Sequence, residues 1–198
     1  MHHFISMMFS LLVITGLQVS VESAGIRSER SINRHYRLEL TVTNGGRWGL
    51  WGHREMCPAG TYAAGFSLKA PYAQKGDITA LNGIRLHCID VISSIFSRYH
   101  DYASWTEIKW CPSGFLTAFQ LRVESSQGIE DDTAANNIRF RCSRGSLLEG
   151  DGTAWGEWGY MSRTCEGKAI CGIMTQVEEP QGMRDDTALN DASMLCCD

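Results

Sequence analysis

The sequence predicts an all-β chain folded as a triangular prism, with three four-stranded antiparallel sheets, pseudo-threefold symmetry and disulfide staples. Three observations carry this expectation: residues recur at a fixed step of 54, apolar and polar residues alternate along short runs, and eight cysteines follow the same step. A fixed period of this size marks similar supersecondary units stacked around a shared core.

The repeat is read most directly from the cysteines. Cys57, Cys111 and Cys165 are spaced by 54, and so are Cys88, Cys142 and Cys196. The same step relates Asp77, Asp131 and Asp185, then Thr79, Thr133 and Thr187, Ala80, Ala134 and Ala188, and Asn82, Asn136 and Asn190. Three units, 35–88, 89–142 and 143–196, thus divide a single domain covering 35–198. Within each unit the cysteines lie 31 apart, which predicts Cys57–Cys88, Cys111–Cys142 and Cys165–Cys196 and leaves Cys171 to pair with Cys197. Each such loop is worth roughly 3 kcal/mol in the chain-entropy model. Neighbouring residues of a strand point to opposite faces, so one of Cys196 and Cys197 can bridge within its own sheet and the other across an edge.

The strands follow from period-two patterns. Tyr36-Arg-Leu38-Glu-Leu40-Thr-Val42-Thr alternates apolar and polar residues, the signature of a half-buried strand. Gly65–Lys69, Ile84–Cys88, Phe119–Glu124 and Ile138–Cys142 repeat it, and helical spacing with caps is absent. Asn44-Gly45-Gly46, Pro58–Gly60, Pro112–Gly114 and Gly150–Gly152 are turn signals at the intervals expected of hairpins. About four short strands per unit bury too little on their own, so three sheets must turn their apolar faces toward a common axis. A β-trefoil is the competing threefold architecture. The longer unit and the paired cysteines favour the prism, and a propeller needs at least four blades.

The chain start reads as an export signal. Phe4–Leu17 is an apolar stretch too short to span a bilayer of about 30 Å, and Val21 and Ser23 suit the −3 and −1 positions of a cleavage site. The expected division is a signal peptide at 1–23 and an N-terminal extension at 24–34. No second apolar run follows, so a soluble, secreted, extracellular and monomeric product without a membrane span is expected. An even cysteine count agrees with an oxidising compartment. The formal net charge of −4, with no basic cluster, points away from nucleic acid. The cysteines lack the close C-x-x-C pairs of zinc sites. His35, His53, His87 and His100 lack ligand-like spacing, and no G-x-S-x-G, P-loop or N-x-S/T motif supports a hydrolase, a nucleotide site or an N-glycan. Neither a metal nor a cofactor is expected.

A resemblance can be stated from particular residues. Trp48-Gly-Leu-Trp51-Gly precedes Met56-Cys57-Pro58; Ala64–Lys69 follows; then come Asp77 with Thr79–Cys88, Asp131–Cys142 and Asp185–Asp191. In motif, order, period and cysteine count this resembles the vitelline membrane outer layer protein family over essentially all of the mature chain. The resemblance implies a β-prism of three Greek-key sheets, secretion and a structural place in an extracellular coat such as the outer egg coat of birds. It also implies a link to chito-oligosaccharides through transfer activity and a lysozyme-like proposal. One departure stands out: the first unit has Gly76-Asp77-Ile78-Thr79 where the others have Asp131-Asp132-Thr133 and Asp185-Asp186-Thr187.

Two sets of residues carry candidate chemistry. The repeated Asp-Thr-Ala-x-Asn element reads first as a corner whose side chains cap backbone groups before a strand beginning at the Asn. Its sharper reading makes Asp131, Asp132, Asp185 and Asp186 a sugar-binding or catalytic cluster, since glycoside chemistry needs two carboxyls roughly 5 to 9 Å apart. Calcium at Asp185, Asp186 and Asp191 is a third reading, without the twelve-residue ligand loop. Trp48 and Trp51 are echoed by Tyr102 and Trp105 and by Trp155 and Trp158, while Trp110 stands alone. These rings either pack at sheet corners or form a stacking platform for sugars. Two functions follow: a non-catalytic coat or matrix protein that binds glycans or other coat proteins, and a weak transferase or hydrolase acting on N-acetylglucosamine oligomers. The first is favoured, because an active site normally shows a unique residue that breaks the repeat.

Overall fold

The computed structural model describes residues 34–70, 80–89, 94–96, 104–124, 134–178 and 189–198. The expected signal segment 1–23, residues 24–33 of the expected extension, and Asp77, Asp131, Asp132, Asp185 and Asp186 lie outside the described residues. The strands fall within the compact unit His35–Asp198, and no helix occurs among the described residues.

In chain order the strands are β1 (Leu38–Leu40), β2 (Leu50–Trp51), β3 (Glu55–Met56), β4 (Ala63–Ala70), β5 (Gly83–Cys88), β6 (Ser94–Phe96) and β7 (Ser104–Trp105). There follow β8 (Lys109–Trp110), β9 (Leu116–Val123), β10 (Ala135–Cys142), β11 (Leu147–Glu149), β12 (Glu157–Trp158), β13 (Ala169–Val177) and β14 (Leu189–Cys197). They form three antiparallel sheets. Sheet I has the order β6-β5-β4-β7, with β8 also on β4; sheet II is β11-β10-β9-β12; sheet III is β1-β14-β13-β2, with β3 also on β13. In sheets I and II three consecutive strands lie side by side and the fourth returns beside the first, which is a Greek key.

The sheets and the repeat units are out of phase. Each long central pair, β4–β5, β9–β10 or β13–β14, comes from one unit, and its flanking strands come from the next. Sheet III takes its flanking strands from the first unit, so the ring closes by pairing the two ends of the domain, Leu38 opposite Cys196 and Leu40 opposite Met194. The turn signals are accordingly reassigned. Pro58–Gly60 and Pro112–Gly114 carry the chain from one sheet to the next, while Asn44–Gly46 and Gly150–Gly152 carry it from one edge of a sheet to the other. A Gly or Pro turn fixes a reversal but not the strand met afterwards.

Layers of equivalent side chains fill the axis. Phe66, Phe119 and Ile173, with Leu86, Phe140 and Met194 directly opposite them, form one, and Ile84, Ile138 and Ala192, with Leu68, Leu121 and Thr175 opposite them, form the next, all buried. Phe140 touches both Phe66 and Phe119, with ring centroids 4.7 and 6.2 Å apart. Alternation holds on β1, where Leu40 is buried and Glu39 exposed. On the long strands the expected half-burial is exceeded: Ser67, Lys69 and Gln176 are buried too, with His87 against Ser67, Trp105 opposite Lys69, and the Arg47 and Gly49 carbonyls of a connection over Gln176.

Cys57–Cys88, Cys111–Cys142, Cys165–Cys196 and Cys171–Cys197 are bonded. The first three do equivalent work. The N–H of Cys57 donates to Cys171 of sheet III while its sulfur reaches Cys88 of sheet I. Cys111 likewise joins Ala64 of sheet I to Cys142 of sheet II, and Cys165 joins Thr117 of sheet II to Cys196 of sheet III. One end of the prism is therefore clamped at all three corners. The adjacent Cys196 and Cys197 face opposite ways, as strand geometry requires: Cys196 lies in the central core, and Cys197 bonds Cys171 in a second apolar cluster with Met56, Tyr62 and Leu195.

Candidate functional site

The end of the prism opposite the three corner disulfides, here the loop end, carries the tryptophans singled out in the sequence. Trp51, Trp105 and Trp158 sit in two-residue edge strands and pair with Gln176, Lys69 and Arg122. Those residues pair in turn with Asp191, Gly83 and Asn137. Three rows, Trp51–Gln176–Asp191, Trp105–Lys69–Gly83 and Trp158–Arg122–Asn137, therefore cross the outer faces of sheets III, I and II. Directly opposed residues of neighbouring strands project from the same face. The next rows toward the disulfide end are Met174–Ser193, Ser67–Arg85 and Gln120–Arg139.

On sheets III and II the sequence positions the indoles by a local device. Gly49 and Gly156 have φ of +90° and +76°, and a Cβ there would lie 2.5 and 2.3 Å from the carbonyl oxygens of Val177 and Val123. Only glycine lets the chain cross this closely. The row residues then hold the crossing: Gln176 Nε2 donates to Gly49 O at 3.1 Å, and Arg122 Nε donates to Gly156 O at 2.8 Å.

The rows differ in what covers the ring. The Arg85 guanidinium lies over Trp105 at 3.9 Å from its centroid, and that of Arg139 over Trp158 at 4.0 Å. Arg139 is itself anchored, donating from Nε and Nη2 to Glu149 Oε2 at 2.8 and 2.7 Å. At the matching position of sheet III stands Ser193, whose hydroxyl donates to Glu39 Oε1 at 2.5 Å. Trp51 is 46% exposed and its neighbour Trp48 54%, and Trp155 on sheet II is 50% exposed. Trp105 and Trp158 are half-buried. The five rings share one end of the prism but belong to three separate faces.

Polar groups under the same end also depart from symmetry on sheet III. Asn136 Oδ1 accepts from Thr153 Oγ1 at 3.0 Å, and Asn137 Oδ1 accepts from the N–H groups of Ile138 and Gly152. The backbone N–H groups at this corner are thus capped by Asn137, which lies outside the 54-residue step, while the repeated Asn136 bonds a side-chain hydroxyl. Each strand opens slightly earlier or later than the repeated Asn, which precedes β5 and lies second in β10 and β14. The equivalent Asn190 is fully buried, and neither atom of its amide has a hydrogen-bond partner among the described residues. Thr175 occupies the core position of Leu68 and Leu121, and its hydroxyl is likewise unpartnered there. Asp191 accepts from the N–H of Ala192 at 2.7 Å; burial, only partly offset by that bond, pushes its carboxyl up to about 6. Gly45 lies against this carboxyl, and a Cβ there would meet Asp191 Cγ at 2.1 Å.

His87 lies 3.0 Å from Ser67 Oγ through Nε2, and burial, followed by the charge of Arg85, pulls it down to about 4. It is a neutral member of the outer face of sheet I. Asp131, Asp132, Asp185 and Asp186 precede β10 and β14 in the chain and lie outside the described residues. Among the described residues no group of three or more His, Cys, Asp or Glu could hold a metal. The row residues Gln176, Arg85, Arg139 and Ser193 were not singled out in the sequence. Their signal was present as a broken step, since Arg85 and Arg139 are 54 apart and the next position is Ser193.

The architecture is that of a β-prism, shared with solved plant lectins at a level that defines fold alone. Frutapin, a lectin from Artocarpus incisa, superposes with a TM-score of 0.52 at 10% identity, covering 82% of this chain and 99% of its own. Calystegia sepium agglutinin gives 0.53 at 10%, covering 82% and 97%, and artocarpin, solved in complex with mannotriose, gives 0.52 at 12%, covering 82% and 98%. The sequence identifies the narrower group. The model of the vitelline membrane outer layer protein I family matches residues 38–198, and the chain belongs to that family. Vitelline membrane outer layer protein 1 homolog of Mus musculus is 48% identical over 174 residues, 84% of this chain and 86% of the mouse protein. The Homo sapiens homolog is 48% identical over 170 residues, 82% and 84% of the two chains.

Proposed function

We propose that the protein is a secreted, extracellular coat or matrix component that binds glycans at the loop end of the prism without turning them over. The observation that carries this reading is the set of indoles held by glycine crossings at one end, three of them with about half their surface open. Indole faces stack on the apolar faces of sugar rings, and flanking polar groups supply orientation. Four disulfides suit a protein working in an oxidising space. The mannotriose held by artocarpin, on the same fold, adds a precedent of architecture.

The test is titration of the oxidised mature protein with N-acetylglucosamine oligomers, read by tryptophan fluorescence, with chromatography of the sugar over hours. Saturable change with intact oligomer is expected. Absence of any saturable change across neutral oligosaccharides would refute glycan binding. Shortened or transferred oligomers that vanish in Asp131→Asn or Asp185→Asn would replace the proposal with the enzymatic one.

A further inference from the structure

We infer that sugar is taken on one face of the three, the loop end of sheet III, where Trp51 and Trp48 present an open stacking surface for a neutral pyranose. This inference rests on the glycan-binding reading and specifies its site. The three sheets share a seat above the edge-strand indole. On sheets I and II the seat is filled from within, by Arg85 at 3.9 Å from the Trp105 centroid and by Arg139 at 4.0 Å from that of Trp158. A planar cation at that distance occupies the face on which a sugar ring would stack. On sheet III the corresponding side chain is Ser193, turned to Glu39 and too short to reach across β13. No cation lies over Trp51 among the described residues, and the ring is 46% exposed.

Two further features select the ligand. The rows of sheets I and II contain Lys69 and Arg85, and Arg122 and Arg139, whereas the rows of sheet III contain Gln176, Asp191, Met174 and Ser193. An anionic glycan would favour the first two faces; a neutral one has no reason to avoid the third. Trp48, 54% exposed beside the positive-φ Gly49, extends the apolar surface of Trp51 toward a second sugar residue. On sheet II the matching Trp155 is open, but its neighbour Trp158 is covered, so the paired surface is not reproduced there.

The test uses isothermal titration of the full mature protein with N-acetylglucosamine tetramer, with a sulfated oligosaccharide as the anionic probe. The wild type is expected to bind the neutral tetramer at one site. Trp51→Ala should weaken it at least tenfold, and Ser193→Arg should do the same by seating a guanidinium on Trp51. Trp110→Ala, an exposed indole near the disulfide end, controls for generic effects and should change affinity less than twofold. Arg139→Ser removes the nearer of two guanidiniums on Trp158, leaving that of Arg122 at 5.8 Å from its centroid, and should add a second site weaker than the first. Trp51→Ala alters an exposed side chain and keeps the test informative if Ser193→Arg does not fold. Unchanged affinity in Trp51→Ala, with binding lost in Trp158→Ala, would overturn the assignment while leaving the glycan-binding reading intact. Preference for the sulfated probe would overturn the neutral ligand class. Failure of the wild type to bind either probe would overturn the glycan-binding reading itself, and this inference with it.

Discussion

The corner disulfides and the fourth bridge should contribute unequally, and the difference can be worked from connectivity. Cys111–Cys142 closes a loop with a separation of 31 that no other bridge overlaps. In the chain-entropy model its removal costs about 3.7 kcal/mol at 25 °C. Cys171–Cys197 has a separation of 26, which taken alone gives nearly the same value, about 3.5 kcal/mol. It is not alone, however. Cys165 lies six residues before Cys171, Cys196 adjoins Cys197, and Cys165–Cys196 is bonded. With that bond intact the unfolded chain is already tied there, and the fourth bridge closes a ring of only about eight residues, worth about 2.5 kcal/mol in the same model. Cys111→Ala/Cys142→Ala should therefore cost about 1 kcal/mol more than Cys171→Ala/Cys197→Ala. The larger loss corresponds to roughly 7–15 °C in Tm for a domain of this size. Urea denaturation followed by tryptophan fluorescence measures both variants against the wild type. An equal or larger loss from the Cys171/Cys197 pair would refute the unfolded-state argument and place the effect in the apolar cluster around that bridge.

Four other outcomes follow from particular residues. Thr175→Val removes a buried hydroxyl without a described partner and should raise stability by about 1 kcal/mol in the same denaturation assay. Asp191 titrates near 6 when folded and near 3.8 when unfolded, so the folded state holds its proton longer; its contribution is full below about pH 4 and is lost as pH rises toward 6. His87, lowered to about 4, acts oppositely in the same window, its contribution being lost as pH falls from 6.5 toward 4, so Asp191→Asn should reveal a steeper loss of stability on acidification than the wild type shows. Gly49→Ala should cost roughly 3 kcal/mol or more, combining a left-handed backbone with contact against Val177. Gly60→Ala, also at positive φ but with open space around it, should cost only about 1 kcal/mol by thermal melting.

The fold class and the disulfide partners could be read from the chain because both are written in spacing: a step of 54 and an interval of 31 survive any uncertainty about strand boundaries. The phase of the sheets could not. A cyclic repeat has no natural first residue, and the pattern around Asn44 or Gly150 is the same whether the next strand lies alongside or across the sheet. The rows of the loop end depend on register, which places Trp51 opposite Gln176 and Trp158 opposite Arg122. A W-x-x-W spacing says nothing of which arginine will cross over which ring. The carboxylates most suggestive in sequence, Asp131, Asp132, Asp185 and Asp186, lie outside the described residues, and the acid that geometry brings forward is Asp191.

The phase shift between units and sheets bears on how such a chain can be assembled from smaller pieces. An isolated 54-residue segment would hold a central pair lacking its flanking strands and flanking strands lacking a central pair. Neither half can satisfy the other within one copy, since each belongs to a different side of the triangle. Three separate copies can exchange halves around a ring, and that exchange closes only at three. A gene encoding one unit would thus specify a strand-swapped homotrimer, and joining three such genes end to end would convert subunit exchange into chain connectivity without creating a single new contact.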